Sequence, residues 1–209
     1  MRISETDALL VIDVQNDFCR GGALEVPNGD LVVPIINRLM DRFSHVILTQ
    51  DWHPADHSSF ASNQSGIAPY STIIMSYGEQ IVWPEHCVQG TRGATFHQDL
   101  NTDRAELIVR KGFRTKIDSY SAFFENDHKT ATGLAGYLRD RNLKRLICVG
   151  LATDFCVRFS AEDARRLGFE SIVVEDACRA IDLQGSLASA LSSFAASGVA
   201  IVPSIDFDR

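Results

Sequence analysis

The chain has little of what would commit it to a membrane, to nucleic acid or to an oxidising compartment. No apolar run approaches the roughly 20 residues needed to cross a bilayer. Lysine and arginine number 20 against 27 aspartates and glutamates, a formal charge of −7, so no excess of basic residues is available for DNA, RNA or anionic lipid. The five cysteines (Cys19, Cys87, Cys148, Cys156 and Cys178) show no C-x-x-C spacing and cannot all pair within one chain, which fits a reducing compartment. Met1 to Asp7 reaches acidic residues before any apolar run and does not read as a secretory leader. Neither G-x-G-x-x-G nor G-x-x-x-x-G-K-[ST] occurs, which argues against a dinucleotide or triphosphate ligand. Repeats and low-complexity segments are also lacking. The expectation is a cytoplasmic protein with a small-molecule partner and neither nucleic acid nor membrane; a homo-oligomer is left open.

What is present is an ordinary globular composition, 45% hydrophobic and 22% charged, in 209 residues with no linker-like stretch, so a single domain over 1–209 is expected. Short β-branched runs at Ala8–Val14, His45–Gln50, Glu106–Arg110, Arg145–Gly150, Ser171–Glu175 and Val199–Val202 have the nearly continuous apolarity of strands covered on both faces. Helical patterns lie between them, over Leu31–Phe43, Thr130–Arg141, Phe155–Leu167 and Ser186–Ser197, the last two stopped by Gly168 and Gly198. Alternation of this kind predicts an α/β fold: a three-layer αβα, Rossmann-like arrangement with a six-stranded, mostly parallel sheet. Residues 51–105 break the pattern with a long insertion rich in His, Ser, Gly, Pro and aromatics, of a length that is more often functional than idle.

Ligands of such sheets gather beyond the carboxyl ends of the strands. Asp13 ends the first predicted strand, Asp51 and His53 follow the second, Lys111 the third and Cys156 the fourth. Singly, Asp13 reads as a cap, Lys111 as a solvated strand end, Asp51 and His53 as a turn and Cys156 as a small core residue. Jointly they place a thiol, a carboxylate and an ammonium at one edge. A thiol at a helix start meets free N–H groups and the positive helix end, which favour its thiolate, so Cys156 is the candidate nucleophile, Asp13 the base and Lys111 the stabilising cation. Asp51-x-His53 in an extended segment puts both side chains on one side of the chain. With His86 they give one carboxylate and two imidazoles, a set that holds a divalent metal and leaves positions open. Of zinc, iron and manganese, all acceptable to such a set, zinc is the first expectation. His57 and His97 are assigned to outer, hydrogen-bonding positions rather than to the metal. Phe18, Leu24, Trp83 and Tyr120, in loops leaving the same strand ends, would wall a slot for one flat ring.

These segments are similar to the motifs of the isochorismatase-like hydrolase family over nearly the whole chain. The resemblance rests on Ile12-Asp13-Val14-Gln15-Asn16-Asp17-Phe18, on Asp51-Trp52-His53-Pro54 with Asp56-His57-Ser58-Ser59-Phe60, on Trp83-Pro84-Glu85-His86-Cys87-Val88-Gln89-Gly90-Thr91, on Lys111-Gly112 with Asp118-Ser119-Tyr120-Ser121-Ala122-Phe123, and on Gly150-Leu151-Ala152-Thr153-Asp154-Phe155-Cys156-Val157. It implies Asp13, Lys111 and Cys156 as catalytic residues, an oxyanion hole from the backbone N–H groups of Ala152 and Cys156, and a cis peptide before Ala152. The implied activity is metal-dependent hydrolysis of nicotinamide to nicotinate and ammonia through a cysteine thioester, a salvage step for pyridine nucleotides, with pyrazinamide as a related substrate. The rival expectations are a metal-free relative cleaving another small amide or a vinyl ether, and a non-catalytic metal-binding relative.

Overall fold

The computed structural model describes residues 1–207. Its centre is a six-stranded sheet of β1 (Asp7–Ile12), β2 (His45–Asp51), β5 (Leu107–Lys111), β6 (Arg145–Leu151), β7 (Glu170–Arg179) and β8 (Ala200–Val202), and a separate hairpin pairs β3 (Thr72–Met75) with β4 (Gly78–Ile81). The helices are α1 (Val33–Met40), α2 (Leu134–Asp140), α3 (Arg158–Arg166) and α4 (Ser186–Ser197). In the large sheet every pairing is parallel, not merely most of them, and the order is β5-β2-β1-β6-β7-β8. The chain therefore winds outward from β1 in one direction, returns to β6 on the other side of β1, and winds outward again. The crevice where the winding reverses lies at the carboxyl ends of β1 and β6.

Alternation along β1 builds both layers. Leu9 and Val11 face one core with Ile36, Leu39 and Met40 of α1 and with Phe207, whereas Ala8, Leu10 and Ile12 face a second core with Leu134 and Leu138 of α2, Ala161 and Ala164 of α3, and Ala190 and Phe194 of α4. Gly168 and Gly198 terminate α3 and α4 as expected, both left-handed. In each the residue after the glycine donates its N–H five positions back (Phe169 to Ala164, 2.9 Å; Val199 to Phe194, 2.9 Å), which satisfies a carbonyl at the helix end.

Boundaries shift where local geometry overrides the apolar pattern. β1 stops at Ile12 because Asp13 is left-handed (φ 50°) and its carbonyl accepts the N–H of Gln15. α1 begins at Val33, with Pro34 in its first turn behind a tight turn over Gly29–Val32. α2 begins only at Leu134, because Gly133 is left-handed and Asp127 has already taken the N–H groups of Lys129 and Thr130. The hairpin inside residues 51–105 went unpredicted, although Thr72-Ile73-Ile74-Met75 has the β-branched composition of a strand.

Phe194 is fully buried in the layer that holds α4 to the sheet. Phe194→Ala should lower the free energy of unfolding by about 3–5 kcal/mol, measured by urea denaturation; a loss under about 1 kcal/mol would show that α4 contributes little to this core.

Candidate active site

Lys111, the last residue of β5, has no exposed surface, and its Nζ organises what surrounds it. It lies 2.8 Å from Asp13 Oδ2, pairs closely with Asp51 Oδ1, donates to the carbonyl of Ser119 at 2.9 Å and stands 3.4 Å from Cys156 Sγ. Parallel pairing explains the convergence: β2 pairs with β5 so that Asp51 is opposite Lys111, while β1 lies between β2 and β6 and delivers Asp13 between Asp51 and the turn that carries Cys156.

Asp13 is equally buried. Its Oδ1 accepts from Thr49 Oγ1 at 2.6 Å, whereas Oδ2, despite its ion-pair contact with Lys111, accepts no well-aligned hydrogen bond. Burial pushes the Asp13 carboxyl up to about 6; Lys111 opposes this and Asp51 adds to it. Burial alone would also raise Asp51, but Lys111 and then His53 reverse the effect and hold its carboxyl well below the usual range. For Lys111, burial favours the neutral amine and is outweighed by Asp13 and Asp51, which keep the ammonium charged. Cys156 departs from the expected thiolate. Burial is the main cause that pushes its thiol well above the ordinary value; Lys111 opposes this, and Asp13 and Asp51 add to it. The expectation from a helix start did not count the burial of the sulfur or the two carboxylates at the same place.

Cys156 sits in a wide, π-type turn, Thr153–Val157, that follows β6 and leads into α3. The peptide between Leu151 and Ala152 is cis, as the family resemblance implied. The carbonyl of Ala152 accepts the N–H groups of both Phe155 and Val157 at 3.1 Å, passing over that of Cys156 between them. Asp154, buried in the same turn, accepts from the N–H groups of Ile181 and Asp182 and from Ser186 Oγ, and so ties the turn to the loop before α4.

The other oxygen of Asp51 faces a second cluster. Its Oδ2 is 3.6 Å from His53 Nε2 and 3.8 Å from His86 Nε2. Each imidazole directs Nδ1 at a backbone carbonyl, that of Gly112 for His53 and that of Pro84 for His86, both at 2.8 Å. A carbonyl can only accept, so both rings carry a proton on Nδ1 and, when neutral, present Nε2 as a lone pair. Three acceptor atoms thus meet at distances too long for hydrogen bonds, the donor set a divalent cation takes. Gly112 permits the arrangement: a Cβ there would lie 2.4 Å from His53 Cε1. Gln15 fixes Asp51 from behind, accepting its N–H and donating to its carbonyl, both at 2.8 Å.

His57 has both nitrogens engaged, Nδ1 with Ser59 Oγ at 2.7 Å and Nε2 with the carbonyl of Ile117 at 3.3 Å, and its ring packs on His53. His97 lies apart, half-buried beside Asp99. Phe18, Leu24, Trp83, Tyr120, Ala152 and Cys156 line one narrow slot that also reaches Asp51 and His86. Phe155, from the nucleophile-turn motif, joins its walls; sequence reasoning missed Asp118 and Ile181 there, and Thr49 and Gln15 behind it. Asp118 stands inside the lysine motif, which could have pointed to it; Ile181, in an irregular loop, carried no signal.

The model of the isochorismatase domain family matches residues 7–206. A nicotinamidase of Acinetobacter baylyi is 51% identical over 95% of this chain and 93% of its own length. Among solved structures, that of the nicotinamidase and pyrazinamidase of Acinetobacter baumanii superposes with a TM-score of 0.97 at 51% identity, covering 98% of this chain and 99% of the other. The pyrazinamidase of Pyrococcus horikoshii, solved in complex with zinc, superposes at 0.77 with 35% identity over 95% and 99% of the two chains.

A neutral resting thiol has a measurable consequence. In the metal-stripped protein, alkylation of Cys156 by iodoacetamide should keep accelerating through pH 9, whereas a thiolate already formed at neutrality would give a rate level from pH 7 upward. Peptide mapping of timed samples distinguishes the two.

Proposed function

The chain belongs to the isochorismatase domain family, and from that membership together with the site we propose that it hydrolyses nicotinamide to nicotinate and ammonia, a salvage step for pyridine nucleotides. The observation that carries the reading is the contact of one buried ammonium with two carboxylates and a thiol, beside a three-donor cluster that shares Asp51.

Cys156 Sγ attacks the carboxamide carbon as its proton passes to Asp13 Oδ2, the carboxylate oxygen with no aligned donor. Lys111 holds Asp13 and Asp51 in place, and its charge stabilises the sulfur as it becomes negative. The N–H groups of Ala152 and Cys156 receive the oxygen of the tetrahedral intermediate. Asp13 then returns its proton to the leaving nitrogen; the C–N bond breaks, ammonia departs and a thioester remains. Asp13 next takes a proton from water, whose oxygen attacks the thioester, and collapse releases nicotinate and the thiol. Asp51, His53 and His86 would hold one divalent metal, whose contribution when bound is a Lewis acid that anchors the ring nitrogen and lowers the proton affinity of coordinated water. Zinc is preferred because the zinc-bound relative shares the fold, and the donor set accepts iron or manganese as well. His57 holds the ring of His53 rather than the ion, consistent with its two engaged nitrogens.

Cys156→Ala and Asp13→Asn should each lower kcat by about 10³-fold or more, and the double variant should lose little further, because residues acting as one unit are non-additive. With the Asp13 carboxyl raised to about 6, the base form is present above that pH and is lost as pH falls through it, so kcat/KM of the free enzyme should decline on an acid limb near pH 6. Multiplying losses, or a flat profile between pH 5 and 7, would remove Asp13 from this role.

Benzamide keeps the ring shape and the carboxamide but lacks the ring nitrogen. The metal-loaded protein should prefer nicotinamide by a ratio on the order of 10⁴ in kcat/KM, since a buried polar site left unpartnered discriminates strongly. His53→Ala should collapse the preference. Comparable cleavage of both amides by the loaded protein would show that these ligands do not orient the ring.

A further inference from the structure

Asp17 stands beside Phe18 in the first of the family-like segments and has no part in the reading above. Its carboxylate accepts on both oxygens, from two other stretches of chain. Oδ2 takes the N–H of Cys87 at 2.7 Å and Oδ1 that of Ala23 at 3.2 Å, while the Asp17 carbonyl accepts the N–H of Leu24 at 3.0 Å. The N–H of Cys87 belongs to the peptide that joins it to His86, so Asp17 grips the backbone next to one candidate metal ligand. The carbonyl of Cys87 accepts the N–H of the other, His53, at 3.0 Å, and the carbonyl of His53 accepts that of Gln89 at 2.8 Å. Cys87 is left-handed (φ 48°), a conformation that costs a residue with a Cβ and has to be held by its surroundings. Gly93 abuts the carboxylate: a Cβ there would overlap it, and the three atoms nearest that Cβ all belong to the Asp17 side chain.

We propose that Asp17 is a positioning residue of the metal site: its carboxylate fixes the crossing of the His53 and His86 segments, and with it the separation of the two imidazoles, while tying the loop of Leu24 to the same point. The inference rests on the metal reading of Asp51, His53 and His86 given above and adds to it a group that acts through the backbone of the ligands. A carboxylate suits this place because it accepts on both oxygens, whereas the amide of an asparagine accepts on one and would turn N–H against N–H at the other. Each imidazole is already oriented by the carbonyl at its Nδ1. Those bonds leave open how far apart the two backbones stand, and the path from Asp17 through Cys87 to His53 sets that spacing. A divalent ion requires its donors at fixed distances, so loosening the path weakens its hold.

The probe is zinc, titrated into the metal-stripped, full-length protein against a chelator of known affinity, under conditions where each stripped variant is folded by circular dichroism. Asp17→Ala should raise the zinc Kd about 10–100-fold, the usual effect of removing a group that orients metal ligands. Gly93→Ala, which crowds the carboxylate, should raise it at least about threefold alone and less than about twofold on Asp17→Ala, because its effect passes through Asp17. A merely structural role would lower the thermal midpoint of the stripped variant and leave the Kd of the folded protein unmoved. The idea fails if Asp17→Ala leaves the Kd within about threefold, or if Gly93→Ala costs as much without the carboxylate as with it. Should Asp17→Ala fail to fold, Asp17→Asn and Gly93→Ala decide, each expected to raise the Kd at least about threefold. The wild-type protein is titrated and assayed alongside: failure to bind zinc or to release ammonia from nicotinamide overturns the reading above, whereas one zinc per chain and normal release with unmoved variant constants overturn only the role of Asp17.

Discussion

A lysine ammonium with no exposed surface cannot exist without counter-charge, and the architecture around Lys111 answers that requirement. Removing such a charge from water costs several kcal/mol even after relaxation, recovered only through close partners and satisfied protons. Asp13, Asp51 and the Ser119 carbonyl provide them. Two carboxylates against one ammonium leave the cluster negative by one charge. The excess adds to the burial that raises the thiol of Cys156, and it makes the Asp51, His53 and His86 cluster attractive to a cation.

The slot owes its shape to aromatic edges. Trp83 meets Phe155 edge-on at 4.9 Å between centroids, Phe155 meets Tyr120 at 5.6 Å, and Phe18 tilts against His86 at 5.5 Å. Edge-to-face packing of this kind fixes ring planes, since the positive edge of one ring seeks the negative face of the next. A planar guest enters a space whose walls are already ordered, so little of its binding energy is used to arrange them.

The sheet was legible because its inner strands are buried on both faces and read as continuous apolar runs, and because Gly168 and Gly198 mark helix ends for a steric reason. The residues brought to one edge, Asp13, Asp51, His53, His86, Lys111 and Cys156, were legible because parallel strands send their carboxyl ends to the same place. The hairpin of β3 and β4 was not, since its half-exposed residues lie in a stretch where polar and aromatic side chains mask alternation. Nor was the protonation of Cys156, which depends first on how deeply the sulfur is buried and then on the charged groups within a few ångströms, both set by the fold and invisible in a linear string.

The reversal of winding at β1 and β6 divides the chemistry between two stretches of chain. Asp13, Asp51, His53, His86 and Lys111 all precede α2, whereas Ala152 and Cys156 follow it. A polypeptide cut in the exposed loop ahead of α2 would yield one piece bearing the carboxylates, imidazoles and ammonium and another bearing the sulfur and its turn. Neither piece alone holds a complete centre, and they meet only when β6 docks beside β1. Ammonia release from a mixture of such fragments would count correctly assembled sheets, making the fold a reporter of its own complementation.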